Sequence, residues 1–162
     1  MGNFSNLIPT ALGETIAVAV IEDQKPSGTA GGSLPAGAWR TRDLNTITSD
    51  DDSIVTLSAN QFTLQAGTYL IEASAPSYVV SLHKIKLYNI TDSTDDIIGT
   101  NAFSSTPDYG ATRSFASGVI NITSAKVFEI QHRCSDTGFI GNTCNFGVAE
   151  VYTQVKITKL GA

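Results

Sequence analysis

Between Thr68 and Ala75 the chain reads Thr-Tyr-Leu-Ile-Glu-Ala-Ser-Ala. Tyr69, Ile71, Ala73 and Ala75 share one parity, and Glu72 and Ser74 share the other. Successive side chains of a strand point to opposite faces, so this run predicts a strand with one buried and one more polar face. Phe62 to Gln65 forms a shorter run before it, and Gly67 marks the turn between the two. The same reading predicts strands over Ile16 to Ile21, Ala38 to Leu44, Ile54 to Leu57, Val79 to Ile90 and Ile97 to Phe103. It continues with Thr112 to Ile122, Val127 to Cys134 and Val148 to Leu160. In the Val79 run Ile85 and Leu87 oppose Lys84 and Lys86. In the Val127 run Phe128, Ile130 and His132 share a face. Gly118, inside its strand, predicts a bulge or a close backbone approach. The last strand carries the stripe Ala149, Val151, Thr153, Val155 and Ile157, the expected core face. Its opposite parity holds Val148, Glu150, Tyr152, Gln154 and Lys156.

Between these runs lie turn-forming stretches and no helix-period pattern. Lys25 to Gly37 (KPSGTAGGSLPAG) is too rich in Gly and Pro for regular structure, and it lacks the Gly-Lys-Ser/Thr ending of a phosphate-binding loop. Ser104 to Gly110 and Ser135 to Asn145 read as further loops. About nine or ten short strands separated by turns predict an all-β, two-sheet sandwich. Residues 1–15 carry Phe4, Leu7, Ile8 and Leu12 without a period. They read as an extended arm before a single domain over 16–162, and the arm's apolar residues need a surface to cover them.

Composition agrees with an all-β reading: charged residues make up only 15% and hydrophobic ones 41%. The net charge of −5 opposes a sequence-independent grip on nucleic acid, which needs a basic face. No apolar run of about 18 residues occurs, so no membrane insertion is expected. The N-terminus has neither the basic start nor the long apolar core of a secretory signal.

The longer pattern resembles a known family. FTLQAGTYLI, from Phe62 to Ile71, resembles the AGxYxF/I signature of the jelly-roll family that includes tumour necrosis factor and the globular heads of complement and collagen-like proteins. With RSF from Arg113, FEIQH from Phe128 and EVYTQVKI from Glu150, the chain is similar to small jelly-roll proteins of tailed bacteriophages, over roughly Ile16 to Leu160. The resemblance implies a jelly-roll sandwich of antiparallel strands. It also implies a homotrimer with the last strand's sheet facing the three-fold axis. Tyr152 and Gln154 are then expected near that axis, on the parity of Glu150 and Val148. The role it implies is a virion head decoration or cement protein that binds the major capsid protein, with the arm residues Phe4, Leu7, Ile8 and Leu12 as the capsid anchor. The alternative is a tail-fibre or spike tip that recognises a host-surface receptor or glycan through the loops Lys25–Gly37, Asn101–Ala111 and Ser135–Asn145. A start at Met1 without a repetitive shaft favours the decoration role.

Catalytic signatures are missing: no G-x-S-x-G elbow, H-E-x-x-H helix or nucleotide fingerprint occurs, and no enzyme, cofactor or metal is expected. His83 and His132 lie inside strands on apolar parities. Two imidazoles are fewer than a zinc site usually uses, so hydrogen-bonded core histidines are expected. Asp50-Asp51-Asp52 reads as a solvated turn. Trp39, the single tryptophan, reads as a packing anchor. Cys134 and Cys144 are either two thiols or a disulfide across the intervening loop.

Overall fold

A computed structural model of the chain describes residues 16–105, 108 and 110–161. Residues 1–15, and with them Phe4, Leu7, Ile8 and Leu12, lie outside the described residues. Two antiparallel sheets stack face to face. The first contains β1 (Ala17–Lys25), β2 (Ser33–Leu34), β4 (Thr46–Asp50), β7 (Gly67–Tyr78), β11 (Ala111–Ile122), β13 (Gly138–Phe139) and β14 (Glu150–Gly161). Its main order is β11-β7-β14-β1-β4. The second contains β3 (Arg40–Thr41), β5 (Val55–Ser58), β6 (Gln61–Leu64), β8 (Ser81–Asn89), β9 (Thr94–Ile98), β10 (Ala102–Ser104) and β12 (Lys126–Cys134). There β12 lies between β8 and the pair β6 and β3, while β9 and β10 both flank β8.

The opening pattern of the sequence places the core. Along β7 the parity of Tyr69, Ile71, Ala73 and Ala75 is buried, as the alternation predicts. These residues meet Phe62, Leu64, Ile85, Leu87, Phe128 and Ile130 from the second sheet. Phe62 and Phe128 are direct cross-strand partners, both fully buried, with ring centroids 5.7 Å apart. Burying such a side chain contributes about 1.5–3 kcal/mol. Gly67 does not close a hairpin: β6 and β7 belong to opposite sheets, so the chain crosses the sandwich at Gln65–Ala66.

Several expectations are corrected. Gly118 is not a bulge, because β11 pairs with β7 in unbroken register from Ala111 to Ile122. A Cβ there would lie 3.2 Å from the Ile97 side chain, so the position is tight against packing from β9 rather than against backbone. The Ala38–Leu44 strand shrinks to Arg40–Thr41, and a strand not foreseen, β4, precedes the aspartate turn. The expected strand Ile97–Phe103 is two, β9 and β10, broken around Gly99. There a Cβ would meet the Ile85 and Phe115 carbonyls at 2.6 and 2.8 Å.

The last strand departs most from its pattern. Glu22 pairs with Gln154 and Gln24 with Val151, so the single residue Asp23 faces both Tyr152 and Thr153. This bulge turns two consecutive side chains inward. Val155 and Ile157 keep their core parity, but before the bulge the parity inverts. Val151 is therefore half-exposed and Ala149 exposed, whereas Tyr152 and Glu150 are buried.

Candidate interaction surfaces

The four residues expected at a trimer interface divide. Val148 and Gln154 are exposed. Tyr152 is 3% exposed and packs with Leu34, Val80, Cys134 and Ile140 in a small second core at one end of the sandwich. Its ring is held between two glycines: a Cβ on Gly31 would lie 3.0 Å from it and one on Gly141 2.8 Å. Its hydroxyl donates to the Thr29 carbonyl at 2.8 Å. The bulge frees the Tyr152 carbonyl, and Arg113 reaches across β7 to donate to it at 2.6 Å, also donating to Ser74. Tyr152 thus fastens the Lys25–Gly37 loop to the sandwich.

Glu150 has a similar task. Its carboxylate accepts from Thr143 Oγ1 (2.5 Å) and from the backbone amides of Cys144 (3.0 Å), Asn145 (2.7 Å) and Gly28 (3.1 Å). These bonds, that from Thr143 foremost, hold its carboxyl down to about 2, because hydrogen bonds to the ionised form favour it. Glu150 therefore ties two loops together rather than presenting charge to a partner. The structure leaves the two cysteines as separate thiols. Cys134 is buried with its thiol near the Leu34 carbonyl (3.6 Å), and Cys144 is exposed.

A buried polar chain crosses the sandwich beside this second core. His83 and His132 stand on neighbouring strands, β8 and β12, as hydrogen-bonded core residues. The donors can be assigned in sequence. Thr112 Oγ1 donates to the Phe103 carbonyl (2.9 Å), so it accepts from His83 Nε2 (2.8 Å). His83 Nδ1 is then an acceptor for His132 Nε2–H (3.0 Å). That leaves His132 Nδ1 to accept from Arg42 Nη1 at 3.4 Å. Arg42, fully buried, also donates through Nε to Thr153 at 2.9 Å. Every ring nitrogen is used once only if both imidazoles are neutral. Burial, followed by the Arg42 charge, lowers His83 to about 4 and His132 to about 2. Arg42 and Arg40, two residues apart and so on one parity, separate: Arg42 lies in the interior and Arg40 in solvent. Among the described residues no three His, Cys, Asp or Glu side chains converge as metal ligands.

The outer face of the first sheet carries a mixed surface in register. Phe115 (54% exposed) shares a rung with Ser74 and Gln154, and Val119 (60% exposed) shares one with Leu70 and Thr158. Between them the rung Ser117, Glu72, Lys156 and Val20 carries the Lys156–Glu72 ion pair at 3.2 Å. A groove of about 380 Å³ lies over the Phe115 and Ser117 rungs. Phe115 and Val119 were not singled out from the sequence. The signal was present: β11 carries large apolar residues on both parities, Ile120 and Ile122 inward and Phe115 and Val119 outward.

No family model matches the sequence, and no curated protein matches it. Solved structures do match the fold. The globular domain of zebrafish complement 1qA superposes with a TM-score of 0.59 at 13% identity, covering 90% of this chain and 98% of that one. Eiger, a tumour necrosis factor from S. frugiperda, gives 0.61 at 11% identity, covering 90% and 92%. Murine APRIL gives 0.58 at 8% identity, covering 90% and 100%. The chain therefore has the jelly-roll fold of the tumour necrosis factor and complement-head structures.

Proposed function

We propose that the chain is a non-enzymatic structural module that self-associates as a trimer through the outer face of its first sheet. One observation carries this reading: Phe115 and Val119 stand half-exposed in register with Leu70, Thr158 and Gln154 on a mixed face. Apolar and aromatic side chains ringed by polar ones fit a protein interface. Of the residues first assigned to the interface, Gln154 stays on this face, Val148 is exposed just before the strand begins, and Tyr152 and Glu150 are buried where they hold loops.

The place of work we propose is a virion, as a head decoration protein whose binding to several capsid subunits opposes their separation. The likeness of FTLQAGTYLI, RSF, FEIQH and EVYTQVKI to small phage jelly-roll proteins supports that place. The apolar arm with Phe4, Leu7, Ile8 and Leu12 supplies the capsid contact in this reading. A tail-fibre tip is the competing place. Copy number in intact virions decides: hundreds per particle fit decoration, and a few tens in multiples of three fit a fibre tip. Absence from particles contradicts both.

A further inference from the structure

An open groove of about 550 Å³ lies on the outer face of the second sheet, away from the proposed self-association face. Trp39 and Gly37 form one wall and Asn101 and Ala102 the other, with β8 and β12 running along the floor. Lys84 and Arg133 both line this groove, and they are direct cross-strand partners. Like charges directly opposite on a sheet repel. The chain has fifteen acidic residues against ten basic ones, so acidic partners are abundant. Even so, among the described residues neither the Lys84 nor the Arg133 side chain makes an ion pair or hydrogen bond, as is true also of Arg40 and Lys159, whereas Lys25, Lys86, Lys126 and Lys156 are each paired with a carboxylate. Two facing, unpaired cations on an acidic protein form a place where an anion relieves a repulsion already built into the fold.

The rest of the groove narrows the class of anion. Trp39 is half-buried, with the Lys86 ammonium 4.4 Å from its ring centre and Lys86 in turn paired with Asp95, so the indole is held in place. Leu82, 63% exposed, and Ala102 add apolar surface, and Asn101 adds an amide. A fixed aromatic wall, a small apolar patch, an amide and two cations suit a sugar ring bearing a carboxylate or sulfate. An extended peptide has less to gain, because β8 is already paired on both sides, with β12 and β10. We propose that this groove binds an anionic saccharide, its acidic group between Lys84 and Arg133 and its ring against Trp39. The proposal rests neither on self-association nor on a place in the virion.

Trp39 is the only tryptophan in the chain, so intrinsic fluorescence reports on this groove directly. The purified full chain is titrated with sialyllactose, a sulfated heparin disaccharide, lactose, a tetraglutamate peptide and potassium sulfate. Calorimetry is run in parallel. Saturable binding of one of the two acidic saccharides is expected, at least roughly tenfold tighter than lactose, the peptide or sulfate. Replacing both cations, Lys84→Gln with Arg133→Gln, is expected to weaken it by roughly tenfold or more. The same variant is expected to raise the thermal midpoint of the unliganded protein, since it removes a repulsion, and this shows that it folds. No binding of either acidic saccharide by fluorescence and calorimetry overturns the proposal. Equal binding of lactose, tetraglutamate or sulfate overturns the saccharide class, and undiminished binding by the folded double variant overturns the role of the cations.

Discussion

The two ends of the sandwich interior are built by different physics. Around Phe62, Phe128, Ile71 and Ile85 the interior is mainly apolar, and side chains from the two sheets meet largely through hydrocarbon surface. Around Arg42, His83, His132 and Tyr152 it is polar, and the side chains are held by hydrogen bonds, with Arg42 Nη2 left without a partner among the described residues. The apolar region tolerates any arrangement that fills its volume, whereas the polar region tolerates one pattern of protons. A change of volume should therefore damage the first most, and a change of pH should damage the second.

The largest effect is expected from Phe128→Ala, which removes a fully buried ring stacked on Phe62. Such truncations cost about 3–5 kcal/mol. Denaturant unfolding at neutral pH checks it, and the loss should be the same at pH 7 and pH 5.

Acid is the complementary perturbation. The histidines fall from an ordinary 6.5 to about 4 for His83 and about 2 for His132 in the folded chain. Below pH 6.5 the unfolded chain takes up protons that the folded chain refuses, so stability is full above 6.5 and falls as the pH falls. At about 1.4 kcal/mol per pKa unit, His83 alone accounts for a loss of about 3 kcal/mol by pH 4. Burial raises the Asp23 carboxyl, which works in the opposite direction over the lower part of this window. Unfolding curves between pH 7 and 4.5 test the sign. A flat profile would contradict the neutral hydrogen-bonded chain.

A smaller, local effect sharpens the contrast. Glu150→Gln presents an amide where the loop amides of Cys144 and Asn145 now donate to a carboxylate. Hydrogen exchange at those two amides should quicken by roughly tenfold, the equivalent of one lost hydrogen bond, while exchange at Ile130 in the apolar region stays unchanged.

The apolar region was legible in the sequence because alternation alone specifies it. Tyr69, Ile71, Ala73 and Ala75 are buried as their parity predicts, and the sandwich class follows from such runs. The polar end was only partly legible. His83 and His132 were expected as hydrogen-bonded core residues and are so, but their partners Arg42, Thr112 and Thr153 lie far away in sequence. No local pattern announces such a partner. Tyr152 and Glu150 were assigned to an exposed face because β14 was read with one uninterrupted period. The bulge opposite Asp23 inverts that period, and it is defined by the register against β1, which the alternation within β14 does not reveal. Phe115 and Val119 were overlooked for a related reason: a strand apolar on both parities gives no sign of which side another copy would cover.

Self-association through the first sheet's outer face is the central claim, and light scattering in solution tests it most directly. The intact chain is expected at three times its 17.1 kDa mass. With Phe115→Glu and Val119→Glu it is expected at the single-chain mass with the fold retained, because like charges would face one another across a buried face. A single-chain mass for the unaltered protein, or a trimer that survives both substitutions, would contradict the account.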